Sequence, residues 1–282
     1  MYLCLKIGLA YWHKVSVSRF NLSPFTEFSV WPFDKKTTIA SSGALQGAAD
    51  HHSHILPGVD DGVETMAEAL RTLATYEALG IKTLWLTPHI MEDIPNTPQK
   101  LTARFEELKA AYSGNIDLHL AAEYMIDNHL HKLLQETNNS PSREYPQGEG
   151  VPPLLSIGNC GKHILVETSY YNAPMRMRDT LQQIKSLGYH PLLAHPERYM
   201  YLDNAEYVRL HSEGVKFQLN LASLGGGYGA AVKKKALWLL ANGLYSVAGS
   251  DLHSEDSIEY LTKCKLSKQH IEQVENLLHN NL

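Results

Sequence analysis

Asp50-His51-His52-Ser53-His54-Ile55-Leu56-Pro57-Gly58-Val59-Asp60-Asp61-Gly62 opens the regular part of this chain. Along a strand, side chains alternate between faces, so His52 and His54 are expected to share a face with Asp50. His51 is expected to point the other way, toward a helix layer. Two imidazoles two positions apart on an inward face can grip one metal ion or neighbouring ions. Asp50 can orient one of them as an acceptor. The turn Pro57–Gly62 then returns the carboxylate of Asp61 to the same end. A lone H-x-H is weak, but joined to D-x, P-G and D-D-G the pattern becomes specific.

Outward from this stretch, strand and helix patterns alternate from Ala49 onward. Strands are expected near 49–55, 82–87, 116–122, 163–168, 190–194, 216–220 and 245–249. Between them run segments with helical apolar spacing, including Met66-Ala69-Leu70-Leu73, Leu181-Ile184-Leu187 and Val232-Ala236-Leu239-Leu240. Several end at glycine (Gly80, Gly188, Gly214, Gly243), the residue that accepts a left-handed cap most readily. Seven βα-like units point to an α/β fold with a closed or nearly closed parallel barrel. An open doubly wound sheet is the rival, weakened because no G-x-G-x-x-G follows the first strand.

Nine metal-capable side chains recur where these strands run out: His52, His54, Asp61, His89, Glu123, Glu167, His195, Asp251 and His253. In a parallel barrel, strand C-termini converge on one mouth, where such enzymes keep their chemistry. Imidazole and carboxylate donors gathered there imply a cluster of divalent metals, and hence hydrolysis. A glutamate closing an apolar strand, as Glu123 and Glu167 do, is costly to desolvate without a partner. Separate salt bridges to helix residues are the structural alternative for these two. Arg198, in Ala194-His195-Pro196-Glu197-Arg198-Tyr199, presents a planar fork suited to phosphate oxygens. Its alternative is a surface ion pair with Glu197 or Asp203. The small residues Ala248-Gly249-Ser250 before Asp251 let backbone and metal approach closely.

Other chemistries find no residues. A cysteine phosphatase needs arginine six positions after its nucleophile, where Ala10, Val166 and His270 stand instead. No G-x-S-x-G elbow and no G-x-x-x-x-G-K-[ST] loop occurs. Gly225-Gly226-Gly227-Tyr228-Gly229 lacks a following Lys-Ser or Lys-Thr and reads as a sharply bent βα loop. A formal charge of −5 gives no footprint for nucleic acid. No apolar run reaches the roughly 20 residues of a membrane span. Cys4, Cys160 and Cys264 show no paired spacing, which suggests reduced thiols and a cytoplasmic setting.

Two regions break the rhythm. Residues 1–48 have no clear period and are expected to form a poorly ordered N-terminal arm. Val30 reads as a possible true start, with residues 1–29 arising from start-site choice. Residues 137–161, rich in Asn, Gly and Pro, form a long loop that serves as a substrate flap or a surface insertion. A final amphipathic helix is expected over 267–280, through Ile271, Val274, Leu277 and Leu278.

Asp50–Gly62 occurs with Thr87-Pro88-His89, Ala122-Glu123-Tyr124, Val166-Glu167-Thr168-Ser169-Tyr170, Ala194–Tyr199, Leu219-Asn220-Leu221-Ala222-Ser223-Leu224 and Gly249-Ser250-Asp251-Leu252-His253. Together these resemble the polymerase and histidinol phosphatase (PHP) superfamily, in the bacterial capsular-polysaccharide tyrosine phosphatase branch of the CpsB/YwqE type. The resemblance covers residues 50 to about 280. It implies a distorted (β/α)7 TIM-like barrel over 49–282 and a centre of two or three metal ions, usually manganese, with iron, zinc or magnesium as alternatives. The nine residues above would be its ligands, Arg198 would contact phosphate, and His253 could assist the leaving group. Ser254-Glu255-Asp256-Ser257 follow His253 with no arginine, where several members carry a second one. The implied activity is hydrolysis of phosphotyrosine, on the tail of a membrane-bound tyrosine autokinase that controls exopolysaccharide export. The alternatives are a phosphatase for histidinol phosphate or another small phosphomonoester, and a non-catalytic phosphotyrosine-binding module.

Overall fold

The computed structural model describes residues 36–139 and 154–282. Its strands are β1 (Thr37–Thr38), β2 (Ala49–Ser53), β3 (Thr83–Leu86), β4 (His89–Ile90), β5 (Asp117–Leu120), β6 (Glu123–Met125), β7 (His163–Glu167), β8 (His190–Ala194), β9 (Lys216–Asn220), β10 (Val247–Gly249) and β11 (Lys265–Leu266). The helices are α1 (Ile39–Ser42), α2 (Met66–Leu79), α3 (Pro98–Ala111), α4 (Asn128–Asn139), α5 (Met177–Ser186), α6 (Asn204–Ser212), α7 (Leu221–Gly225), α8 (Ala230–Ala241), α9 (Glu259–Lys263) and α10 (Lys268–Leu278). Local chemistry sets their starts. Thr65 and Thr97 cap α2 and α3 by accepting from Glu68 N and Lys100 N, and Pro98 supplies a preset first turn.

Parallel pairing gives one sheet in the order β10-β9-β8-β7-β6-β4 and another in the order β2-β3-β5. They are parts of one curled surface. β3 and β4 form a single strand interrupted at Thr87-Pro88, and β5 and β6 one interrupted at Ala121-Ala122. Bonds from Ala121 N to Leu86 O (2.8 Å) and from Glu123 N to Pro88 O (3.1 Å) carry the pairing across the gaps. Proline has no N–H to give the ladder, so an interruption falls there at little cost. At the seam, β10 and β2 share no continuous ladder. His54 N bonds Leu252 O (2.9 Å) and Asp251 N bonds His52 O (2.8 Å) just beyond the strand ends. Seven strand positions therefore curl into a distorted, incompletely closed barrel, as the seven βα units led one to expect.

Alternation along the strands divides the core. Trp85, Ala121, Leu165, Leu192, Ala194 and Val247 form a small apolar cluster with Ile157, separate from the larger core shared by strands and helices. The same strand faces continue upward as Glu123 above Ala121, Glu167 above Leu165 and Gly249 above Val247. An apolar plug thus underlies a polar mouth.

β2 departs from simple alternation. Its register against β3 shifts between Asp50 and Ser53. Asp50 therefore turns to the helix layer, where it accepts from Tyr76 Oη of α2 at 3.1 Å. His51 turns instead toward a cavity of about 230 Å³ that Trp85 and His119 also line. This reverses the faces expected for Asp50 and His51, because one extra residue in a strand inverts the alternation beyond it. Asp50 steadies backbone, accepting from His52 N (3.1 Å) and Ser250 N (2.9 Å), and bonds no imidazole ring.

Within residues 37–48, which the sequence groups with the arm, 37–42 form β1 and α1 and the rest are turns leading into β2. β1 pairs with β11, while Ile39, Ala44, Leu45 and Ala48 are buried in the main core. Residues 1–35 of the arm, including the proposed start at Val30, lie outside the described residues, as does 140–153 of the long loop. Where that loop resumes, Ile157 and His163 exchange backbone bonds of 2.7 and 3.2 Å. The final helix is present as α10, burying Ile271, Val274 and Leu278. No helix among the described residues is long and apolar enough to cross a membrane.

Protonation of His163 is expected to destabilise the barrel in acid. Burial, with the nearby charges of Lys216 and His190, pushes its pKa down to about 4. Its folded-state pKa lies below the ordinary 6.5, so the stability it contributes is present above about pH 6.5 and is lost as pH falls through about 4. His163→Leu should flatten the decline of Tm across that window relative to the unmodified chain, as read by thermal melts at fixed ionic strength.

A candidate metal centre at the barrel mouth

Each sequence-selected residue sits near the C-terminal end of its strand or in the loop that follows, except that His89 and Glu123 open β4 and β6, where the two interrupted strands resume. Two take costly backbone to do so. His195 (φ 32°) and Asp251 (φ 54°) are the non-glycine residues with positive φ among those described. His195 also precedes Pro196, which ordinarily favours extended backbone. Such strain persists only where the surroundings over-determine it, typically at functional sites.

The nine side chains meet in three overlapping groups, in each of which the donor atoms lie within 4.8 Å of one another. One group is His54, Asp61, His89 and His253. The second is His52, Glu123, His195 and Asp251. The third is His89, Glu123 and Glu167. Glu123 is the hub: its Oε2 lies 3.1 Å from His52 Nε2 and 3.3 Å from both His54 Nε2 and His89 Nδ1, and its Oε1 lies 3.1 Å from His195 Nε2. The salt bridges to helix residues considered for Glu123 and Glu167 do not form among the described residues. Both carboxylates face imidazoles across the mouth instead.

Three imidazoles have one nitrogen held from behind. His52 Nδ1 lies 2.9 Å from Gln218 Oε1, His54 Nδ1 lies 2.8 Å from Asp60 Oδ2, and His253 Nδ1 lies 2.9 Å from Asp251 O. Each arrangement fixes the ring and turns Nε2 inward. Gly249 makes room for this, since a Cβ there would sit 2.6 Å from His52 Cβ and 2.8 Å from His52 N. Gly249→Ala should therefore cost about 1–3 kcal/mol of stability and lower metal content, measured by melting and elemental analysis.

Electrostatics leave the cluster short of positive charge. Burial raises the pKa of Glu167, and the charges of Glu123 and Asp251 push it further, well above the usual carboxyl range. Burial also works to raise Glu123, but the charge on His52, the hydrogen bond from His195 and the close imidazoles of His52 and His54 outweigh it and hold that carboxyl well below. Burial depresses His89 to about 4, helped by the charge on His54. Buried Glu123 Oε2, His89 Nδ1 and His195 Nδ1 have no hydrogen-bond partner. Orphaned donors and acceptors are expensive in a dry site unless something coordinates them. Four carboxylates and five imidazoles around such atoms fit a cluster of divalent cations.

Arg198 enters from a short 3-10 turn after β8. Its guanidinium carbon lies 4.1 Å from the Tyr170 ring centroid and 4.2 Å from that of Tyr228, and Nη1 donates to Asp251 Oδ2 at 2.9 Å. Neither Glu197 nor Asp203 is its partner. Glu197 is fully buried and accepts from Asn220 N (3.0 Å) and Tyr245 Oη (2.9 Å), and burial pushes its pKa up to about 7. Asn220 Nδ2 in turn donates to Asp251 Oδ2 (2.8 Å) and to Tyr228 Oη (3.1 Å). The cavity above the cluster measures about 360 Å³; Met91, Met125, Tyr170, Arg198 and Tyr228 line it with seven of the nine residues. Sequence reasoning passed over Asp60, Gln218, Asn220 and the two tyrosines. The alternation Phe217-Gln218-Leu219-Asn220, polar every second residue within a buried strand, was a usable signal for two of them.

Known proteins share this architecture. Putative tyrosine-protein phosphatase CapC of Staphylococcus aureus is 24% identical over 82% of this chain and 88% of its own. Tyrosine-protein phosphatase YwqE of Bacillus subtilis is 26% identical over 76% of this chain and 80% of its own. Tyrosine-protein phosphatase CpsB of Streptococcus pneumoniae is 27% identical over 74% and 84%. A chain from the crystal structures of YwqE and CpsB, described as unique metal-dependent tyrosine phosphatases, superposes with a TM-score of 0.65. That match spans 83% of this chain and 95% of that one at 24% identity, and it supports the barrel fold. The family described as "Capsular polysaccharide synthesis, CpsB/CapC" matches residues 48–144 and 154–281, a span that includes every strand of the barrel and all nine mouth residues, and the chain belongs to that family.

Proposed function

We propose that this chain is a metal-dependent protein-tyrosine phosphatase, with residues 49–282 as its catalytic domain. The observation that carries the reading is the convergence of nine imidazole and carboxylate side chains beneath a cavity whose uncharged lining is Met91, Met125, Tyr170 and Tyr228. The donors suit a phosphoryl group held by cations, and the apolar walls suit an aromatic ring above it.

His52, Glu123, His195 and Asp251 would hold one cation, His54, Asp61, His89 and His253 another, and His89, Glu123 and Glu167 would complete a third position. Divalent ions in such a cluster neutralise phosphoryl oxygens and acidify a water molecule that attacks phosphorus. Arg198 would bind a phosphoryl oxygen, its plane fixed by Tyr170 and Tyr228 and its position by Asp251. Gln218 and Asp60 orient His52 and His54 from behind. His253 is the partly exposed imidazole of the set. With Nδ1 against Asp251 O, it is placed to hold a metal or to give a proton to the departing phenolate from Nε2. Phenolate leaves readily, since tyrosine has a pKa of about 10.

A mixed donor set of imidazole and carboxylate without thiolate admits manganese, the metal the family resemblance favours, as well as iron and zinc. The reading extends to a phosphotyrosine protein as substrate, the tail of a membrane-bound autokinase governing exopolysaccharide export, and to a cytoplasmic site of action. The relatives' names, as tyrosine-protein phosphatases, support the phosphotyrosine substrate, the family's description supports a link to polysaccharide synthesis, and the free thiols of Cys160 and Cys264 accord with the cytoplasmic site. The test compares an aryl phosphate, a phosphotyrosine peptide and histidinol phosphate on chelator-treated protein, adding back manganese, magnesium, zinc or iron. Fastest turnover of the two aryl esters with manganese is expected. Preference for the alkyl ester would favour a small-molecule phosphatase, and tight phosphopeptide binding without turnover would favour a binding module.

A further inference from the structure

Among the described residues, the strongly exposed large apolar side chains are Tyr171, Met175, Met200, Val208, Tyr228 and Tyr260. Four of these, Tyr171, Met175, Met200 and Tyr228, lie in the three successive connections that follow β7, β8 and β9, Tyr228 in the turn between α7 and α8. Single exposed apolar residues need no explanation, but a group beside a reactive cavity does. Tyr171 and Met175 are 85% and 103% exposed, which leaves nearly all of each for a partner.

Buried neighbours anchor the group to the mouth. Tyr171 follows Tyr170, which packs on Arg198. Met200 follows Tyr199, whose ring stacks on Tyr170 with centroids 6.1 Å apart. Tyr199 also accepts at its hydroxyl from Thr168 N (3.1 Å), which ties the β8 loop to the β7 loop. Tyr228 completes the sandwich on Arg198 while remaining 38% exposed.

We propose that Tyr171, Met175 and Met200, continuous with Tyr228, form a docking strip for the polypeptide on either side of the phosphotyrosine, selecting aromatic or aliphatic residues there. The proposal rests on the phosphotyrosine reading above. The cavity of about 360 Å³ is large enough for a phosphotyrosyl side chain whose phosphate reaches the donors, which would leave the main chain at the rim and its neighbours over these loops. In an extended segment alternate side chains face the same way, which brings residues near the phosphotyrosine down onto the strip. Methionine adapts to varied apolar partners, and tyrosine offers a rigid ring with a polar tip. A second copy of this chain fits less well, because four such side chains fall short of the roughly 800 Å² per partner of a standard interface.

The experiment uses the full metal-loaded chain and the triple variant Tyr171→Ser, Met175→Ser, Met200→Ser. These positions are exposed, so the fold should tolerate the changes. Fluorescent peptides carry a non-hydrolysable phosphonate analogue of phosphotyrosine, flanked by Phe and Leu or by Ser and Gly. The apolar-flanked peptide should bind roughly tenfold tighter to the unmodified chain. In the triple variant that difference should vanish, while kcat/KM on a small aryl phosphate stays within about twofold. Equal affinity for the two peptides, or an undiminished difference in the variant, would overturn the proposal. So would sedimentation showing that copies of the chain associate and that the triple variant separates them. Failure to turn over aryl phosphate would count against the functional reading alone, since the binding comparison still decides the strip.

Discussion

Glu123→Gln should leave a folded chain that holds less than its full metal complement and turns over aryl phosphate at least about 10³-fold more slowly. The size of the effect follows from position. Glu123 belongs to two of the three donor groups and lies within 3.3 Å of His52, His54, His89 and His195. Glutamine keeps the shape and removes the charge. It also places an amide nitrogen, a donor, against imidazole nitrogens that are already turned inward. Glu167 belongs to one group only, so Glu167→Gln should cost less metal while still impairing turnover. Elemental analysis of both variants beside kcat would rank them. Equal metal content and activity in Glu123→Gln and the unmodified chain would remove the hub from the account.

Arg198→Ala should lower kcat/KM by about 10²–10³ and leave metal content unchanged. Arg198 touches the donor cluster only through Asp251, and Asn220 Nδ2 still bonds the same Asp251 oxygen when the guanidinium is gone. The loss is therefore one of phosphate contact, not of the metal site. Lysine should restore little. An ammonium cannot lie flat between the Tyr170 and Tyr228 rings and still present two parallel N–H bonds. Since Ser254-Glu255-Asp256-Ser257 offer no second arginine, nothing in that segment compensates. Loss of metal in Arg198→Ala would show instead that the residue holds Asp251 in place.

Much of the site was legible because strand ends are legible. An apolar run closed by a single Glu or His, as in Leu118–Glu123 or Pro191–His195, marks both the end of a buried strand and the residue placed at its mouth. The nine residues found in this way are the nine that the fold gathers. The partners behind them were harder to read, for separate reasons. The register shift in β2 comes from pairing with β3, which local alternation does not encode, so Asp50 and His51 changed places. In Asp60-Asp61 either aspartate could have turned inward. The chain turns Asp60 fully in, to His54 and to His89 N (3.0 Å), and leaves Asp61 at the solvent edge. Gln218 and Asn220 carry a signal in their spacing, but an uncharged amide in a strand does not by itself reveal that it supports an imidazole or a carboxylate, as these two do for His52 and Asp251.

Residues 37–48 show the opposite limit. Ile39 reaches the core from a single helical turn that follows a two-residue strand, and Ala44, Leu45 and Ala48 reach it from the turns that come after. Elements so short have no period to detect, and their order comes from tertiary contact with β11 and the main core. The aromatic clamp on Arg198 was hidden for a related reason. Tyr170, Arg198 and Tyr228 come from three different loops and meet only after the barrel has curled.

Counting metal ions against activity in one titration tests the central claim most directly. Chelator-treated protein would receive manganese stepwise, with bound metal measured by elemental analysis and aryl phosphate turnover measured at each step. Turnover should be absent without metal and should rise to its plateau as two to three ions per chain become bound. Undiminished turnover in protein that holds no metal would contradict the account.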